Sequence, residues 1–328
     1  ASARGGAVSY GATASLEALR LRAQLLARIR AFFAARGVLE VETPALSSAG
    51  VSDLALESIV ASARSLGRAP LYLHTSPEYA MKRLLAAGSG DIYQLCRVFR
   101  DDELGRWHQP EFTLLEWYRV GFDDARLMDE VDELLRAALA DDRVVRRSAR
   151  VRYSDALERA LGVDARASPV RLGAKLAERG IDAPRDLQPD ALLDLAFASV
   201  VVPSFAADAF TFVYDYPATQ AALARLKPGP PVVAARFEVF ANGLELGNGF
   251  HELNDAAEQR RRFTRELDAR RRAGRPVPPL DEELLAALER GLPDCSGVAV
   301  GVDRLVALAL GLDGVAAAMS FAHSPPRA

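Results

Sequence analysis

Residues 92–120 constrain this chain more than any other stretch. Two strand-like runs, 92–100 and 112–120, flank a polar loop that holds Gly105, Arg106, His108 and Gln109. Because strand side chains alternate, Phe112, Leu114, Glu116 and Tyr118 must point one way and Thr113, Leu115, Trp117 and Arg119 the other. A carboxylate and a phenol therefore share one face.

The flanking sequence supplies helices and more strands. From 15 to 36, Leu16, Leu19, Leu25, Leu26, Ile29, Phe32 and Phe33 fall roughly on one helical face, and Gly37 supplies the stop. A short strand is expected at 38–41, before Thr43-Pro44 breaks regular structure. A strand at 71–73 precedes Ser76-Pro77-Glu78, which opens a helix with Ser76 as cap and Pro77 at its first position. From 123 to about 200 the pattern is helical, with Leu127, Met128, Val131, Leu134 and Leu135 as its stripe, so about 121–209 reads as a mostly helical insertion. Strand pattern returns at 210–216 and 236–240. Asn242-Gly243 then signals a hairpin into Leu244-Glu245-Leu246-Gly247-Asn248-Gly249. A charged helix at 255–272 starts with Asp255 and Glu258 in capping-box spacing. A strand at 297–300 and a helix at 305–310 close the chain. Strands and helices do not alternate as in a parallel α/β fold, so the expectation is α+β, a mostly antiparallel sheet flanked by helices.

Composition excludes several functions. Half of the 328 residues are apolar, enough for a large core, while a formal charge of -3 argues against nucleic-acid binding by counterion release. Cys96 and Cys295 lie far apart and offer neither zinc spacing nor a disulfide framework, which fits a reducing cytoplasm. The chain has no run of about 18 apolar residues, so no membrane span is expected. Residues 1–14 read as a flexible lead-in. His74, His108, His251 and His323 show no ligand spacing, and the arginines of 260–275 read as a solvated helix face.

Two motifs carry chemistry. Val98-Phe99-Arg100-Asp101-Asp102-Glu103, then Gly105-Arg106-Trp107-His108-Gln109-Pro110-Glu111-Phe112-Thr113, resembles motif 2 of class II aminoacyl-tRNA synthetases. Gly297-Val298-Ala299-Val300-Gly301-Val302-Asp303-Arg304-Leu305 resembles their motif 3, and residues 37–50, centred on Pro44, their motif 1. The resemblance implies the class II catalytic fold over 15–328, ATP as substrate, Mg²⁺ as cofactor and a homodimer built on motif 1. It makes Arg100 and Arg304 the catalytic pair that stabilises charge on the α- and γ-phosphates, with Phe112 stacked on adenine. Asp101, Asp102, Glu103, Arg106, His108, Gln109, Glu245, Leu246 and Gly301 would complete the ATP site. Asp102 and Gln109 depart from the usual Glu and Asn.

Glu245 to Asp255 is similar to the lysine and aspartate subgroup. There the resemblance makes Glu245 and Glu252 the metal carboxylates, and hard oxygens suit Mg²⁺. Ser76, Pro77, Glu78, Glu116, Tyr118, Asn248, Phe250, Glu252 and Ala299 match the amino-acid contacts. The chain most resembles the truncated lysyl-tRNA-synthetase paralogues that attach (R)-β-lysine to a lysine of elongation factor P. Only 36 residues precede the motif 1 region, where lysyl-tRNA synthetases carry an anticodon-binding barrel, so no such domain and no tRNA are expected. Ala299, where those synthetases usually have glycine, would reshape the pocket by one methyl, a difference worth about 1–3 kcal/mol in discrimination. The expected activity is activation of (R)-β-lysine as an adenylate and transfer to a lysine side chain of elongation factor P. The alternatives are a minimal synthetase that charges tRNA or a small molecule, and a non-catalytic regulatory paralogue.

Overall fold

The computed structural model describes residues 11–67, 69–140, 145, 147–184 and 186–324. Residues 1–10 of the expected lead-in lie outside them. Thr13 is tied down, its N–H bonded to Ser320 O and its hydroxyl to Met319 O.

In chain order the elements are α1 (Leu16–Ala34), β1 (Leu39–Glu40), β2 (Leu46–Ser47), β3 (Val60–Ala61), β4 (Leu71–Leu73), α2 (Glu78–Ala86), β5 (Ile92–Phe99) and β6 (Glu111–Val120). Next come α3 (Asp124–Leu139), β7 (Arg147–Arg152), α4 (Tyr153–Leu161), α5 (Pro169–Ala177), α6 (Pro189–Ala196), β8 (Ala209–Pro217), β9 (Leu226–Lys227) and β10 (Val233–Ala241). The chain continues through β11 (Leu244–His251), α7 (Ala256–Arg272), α8 (Glu282–Gly291), β12 (Cys295–Gly301) and α9 (Val302–Leu310).

Among the described residues, one sheet runs in the order β1-β5-β6-β12-β11-β10-β8-β7, with β9 on β10. The central ladders are antiparallel, and the parallel pairs β1/β5 and β7/β8 sit at the two edges. This is the mostly antiparallel α+β architecture of the expectation. The β10–β11 turn uses Asn242 and Gly243 at φ 50° and 72°, the left-handed geometry that a tight hairpin needs.

The sheet has a dry face and a face that holds the cleft. On the dry face Leu115 and Trp117 of β6 pack with Phe33 of α1, Val131 of α3, Phe237 of β10 and Val306 of α9. The stripe Leu127, Met128, Val131, Leu134 and Leu135 is buried there, so α3 belongs to the main core. A second core gathers Tyr153, Leu157, Leu176 and Phe197 from the helical stretch against Val213, Tyr216 and Phe240 of the sheet. On the other face, a third cluster joins Met81 and Leu85 of α2, Phe263 of α7 and Leu285 of α8 to Tyr118. Glu116 and Tyr118 emerge between these helices.

Three local expectations are corrected. Ser76 is not the cap: Pro77 occupies that place and α2 begins at Glu78, although the Ser76 hydroxyl still accepts the Glu78 N–H at 3.0 Å. Helix α9 starts three residues early, at Val302, which places Asp303 and Arg304 on its first turn beside the strand end. The helical stretch also hides β7, whose side chains other than Val151 are exposed and charged or small.

Candidate active site

A cleft of about 670 Å³ opens over β6, β11 and β12 and is walled by the start of α2, residues 47–58 and the start of α9. That size suits a small-molecule site of nucleotide class. One end gathers arginines and the other a cluster of carboxylates.

The cationic end is built by β5, the loop after it, and α9. Arg100 leaves the end of β5, donates from Nε to Thr75 O at 3.3 Å, lies 3.6 Å from Glu103 Oε1, and has its guanidinium 5.0 Å from the centre of the Phe112 ring. Arg304 donates to Glu245 O at 2.9 Å and to His108 Nε2 at 2.9 Å. Burial and the neighbouring Arg304 hold the His108 pKa below its usual value. A neutral imidazole is the form that accepts this bond. Gln109 is buried, and its carbonyl oxygen accepts from His323 N at 2.8 Å. Asp303 anchors this end through Arg22 at 2.6 Å and through the Thr113 N–H at 2.6 Å. Two guanidiniums held by backbone carbonyls are preorganised for an anion.

The acidic end lies where α2, β6, β11 and β12 meet. The Ser76 hydroxyl donates to Glu116 Oε2 and the Tyr118 hydroxyl to Glu116 Oε1, both at 2.6 Å. Burial, reinforced by the charge of Glu78, raises the Glu116 carboxyl to about 8 against the pull of those two hydroxyls. Lys82 lies 2.6 Å from Glu78 Oε1 and 2.6 Å from Glu252 Oε2. Burial lowers the Lys82 pKa, but Glu252 and Glu78 outweigh it, and the ammonium is held charged. Burial raises Glu252 while Lys82 opposes it. Gly297 makes this packing possible: a Cβ there would stand 2.3 Å from the Tyr118 ring and 2.7 Å from Glu252 Oε1.

Asn248 and Phe250 of β11 and Glu252, just past its end, line the cleft at alternate positions, and Glu245 and Leu246 join them at the bulge opposite Val239 and Phe240. Pro77, Ala299 and Gly301 also line it. Asp101, Asp102 and Arg106 do not. Asp101 bridges to the Glu57 backbone, Asp102 sits at φ 60° in a turn, and Arg106 pairs with Asp313 at 3.2 Å. Sequence reasoning missed Lys82, Asp303 and Arg236, the last lining the cleft and paired with Glu238 at 2.6 Å. For Lys82 the signal was its place four residues after Glu78 on a helix.

A family model described as tRNA synthetases class II (D, K and N) matches residues 7–325. The chain belongs to that class II family. Its curated relatives include a protein named "Elongation factor P--(R)-beta-lysine ligase" from Klebsiella pneumoniae subsp. pneumoniae, 49% identical over 319 residues, which are 94% of this chain and 96% of the relative. Proteins of the same name from Vibrio cholerae and Salmonella paratyphi B are each 48% identical over 94% of this chain and 96% of their own length. This class II chain is therefore a ligase enzyme, and its family uses ATP. Among the described residues no helix is long and apolar enough to cross a membrane, and no three His, Cys, Asp or Glu side chains group as a metal site.

Proposed function

We propose that this enzyme activates (R)-β-lysine with ATP and transfers it to a lysine side chain of elongation factor P. The observation that carries the reading is the polarity of the cleft: Glu116, clasped by Ser76 and Tyr118, at one end, and Arg100 with Arg304 at the other. An amino acid with ammonium groups would enter the acidic end and point its carboxylate at the arginines, where a triphosphate would lie.

In the first step a carboxylate oxygen of β-lysine attacks the α-phosphorus, the bond to the bridging oxygen breaks, and pyrophosphate leaves with the electron pair. Arg100 and Arg304 would stabilise the charge that builds on the phosphate oxygens, and Phe112 would stack on the base. In the second step the neutral amine of the acceptor lysine attacks the mixed anhydride, the bond from the acyl carbon to the phosphate oxygen breaks, AMP departs with the electron pair, and the nitrogen gives up one proton to solvent as the amide forms. Most of the acceleration would come from positioning.

Mg²⁺ fits the donor chemistry of β11. The Glu245 side chain is half-exposed toward the cleft, and neither Glu252 oxygen makes an aligned hydrogen bond despite its ion pair with Lys82. Glu245, with Glu252, would hold the ion, which when bound neutralises phosphate charge. Glu103, His108, Gln109, Leu246 and Gly301 would surround the nucleotide, and Pro77, Glu78, Asn248, Phe250 and Ala299 the amino acid. We also infer a homodimer through the motif 1 region, where Leu39 and Leu46 are exposed, and a cytoplasmic enzyme, consistent with two free cysteines.

The test of the acceptor is transfer of radiolabelled β-lysine in the presence of purified elongation factor P or bulk tRNA. Label on the protein, resistant to alkaline hydrolysis as an amide, is expected. Alkali-labile label on tRNA would replace this reading with that of a minimal synthetase.

A further inference from the structure

Behind the acidic end stands Lys82, a cation with no route to the solvent. It sits one turn after Glu78 on α2, is 2% exposed, and touches one oxygen each of Glu78 and Glu252 at 2.6 Å. Met81 and Leu85 flank it on the helix, within the apolar cluster that also holds Phe263 and Leu285. A lysine used only to fasten α2 to a neighbouring element could do so from the surface, as Arg83 does with Glu283 of α8.

Its effect is clearest in the charge of the pocket. Glu78, Glu116 and Glu252 converge on one end, and three carboxylates so placed repel one another. Once a cationic ligand has displaced the proton of Glu116, one fixed ammonium leaves two negative charges for that ligand. Glu116 has a hydroxyl donor on each oxygen, so its position is set by Ser76 and Tyr118. The other two carboxylates have one oxygen each drawn to Lys82, and this fixes where they stand.

We propose that Lys82 is a positioning residue that sets the charge of the amino-acid pocket. By holding Glu78 and Glu252 from behind, it leaves the charge of two carboxylates facing the cleft, which makes the site selective for an amino acid with two ammonium groups. The inference rests on the reading of this cleft as an amino-acid site. Lys82 touches no reacting atom and acts only through its two partners.

The test is amino-acid-dependent ATP–pyrophosphate exchange by the parent, Lys82→Met and Lys82→Gln, with a melting curve for each. Lys82→Gln keeps polarity and much of the length, and serves if the methionine variant does not fold. The expected result is a KM for β-lysine raised by at least about tenfold, as when one partner of a buried charge pair is lost, with the KM for ATP little changed and kcat less affected. A folded variant with the parent's KM for β-lysine, or with both KM values raised together, overturns the proposal while the amino-acid reading stands. A parent that exchanges with no diamino acid overturns that reading and the proposal with it.

Discussion

Ser76, just ahead of α2, donates its hydroxyl to Glu116 in the middle of β6 at 2.6 Å. The bond joins a helix start to the sheet floor and turns a buried carboxylate toward the cleft. It also opposes the effect of burial, which still leaves the Glu116 carboxyl at about 8.

A cationic substrate prefers ionised Glu116, so binding must expel the proton that this group holds below its pKa. The KM for β-lysine should fall as pH rises toward about 8 and level off above it, by at most about tenfold per unit. Glu116→Gln should flatten that dependence and raise KM throughout. Exchange kinetics across pH at saturating ATP test both. The sign for folding is the reverse of binding: the native carboxyl holds its proton more tightly than the unfolded one, so its contribution to stability falls as pH rises from 4.5 to about 8.

Arg100 and Arg304 are held by backbone oxygens of Thr75 and Glu245, and each has one carboxylate, of Glu103 and of Glu245, at 3.6 Å, so a phosphate would meet a guanidinium already in place. Arg100→Ala or Arg304→Ala should each cut adenylate formation by about 100-fold or more, with the loss chiefly in kcat. Near-normal exchange by either variant would remove that arginine from the site.

Glu245 is the more open of the two carboxylates assigned to Mg²⁺. Glu245→Gln should raise the Mg²⁺ concentration needed for half-maximal exchange several-fold, by loss of a hard oxygen ligand. Chelation should stop exchange in the parent. An unchanged Mg²⁺ requirement in the variant would place the ion elsewhere.

Arg270 lies on the helix that reads as solvated, yet it is 1% exposed. It donates to the carbonyls of Asp53, Leu56 and Pro276 and pairs with Glu57 at 2.6 Å. Arg270→Met should lower unfolding free energy by about 3–5 kcal/mol, because Glu57 and the carbonyls lose their partner. Denaturant titration measures it, and a loss below about 1 kcal/mol would mean that water replaces the guanidinium.

Much of this structure was legible because period-two alternation is a strong local signal. It placed Glu116 and Tyr118 on one face of β6, and the structure joins them by a hydrogen bond. The stripe on α3 was readable from the helical period, and the turn at Asn242-Gly243 from residues that tolerate positive φ. Strand β7 was not: as an edge strand it needs few apolar side chains, and only Val151 is buried. Arg262 and Arg270 were hidden by composition, since a run of arginines looks solvated wherever tertiary carbonyls will later receive it. Lys82 escaped because a lysine four residues after a glutamate is ordinarily a surface pair. Only the fold brings Glu252 to its other side. Asp101, Asp102 and Arg106 follow the motif in sequence but lie outside the cleft lining: Asp101 bridges to Glu57 through the backbone, Asp102 sits in a turn, and Arg106 pairs with Asp313.

In the proposed reaction this cleft drives activation of β-lysine by ATP. The most direct measurement is pyrophosphate exchange by the purified chain with (R)-β-lysine and with α-lysine, each over a full concentration range. Exchange should depend on β-lysine, with a higher kcat/KM than for α-lysine. Exchange with α-lysine preferred, or with neither amino acid, would contradict it.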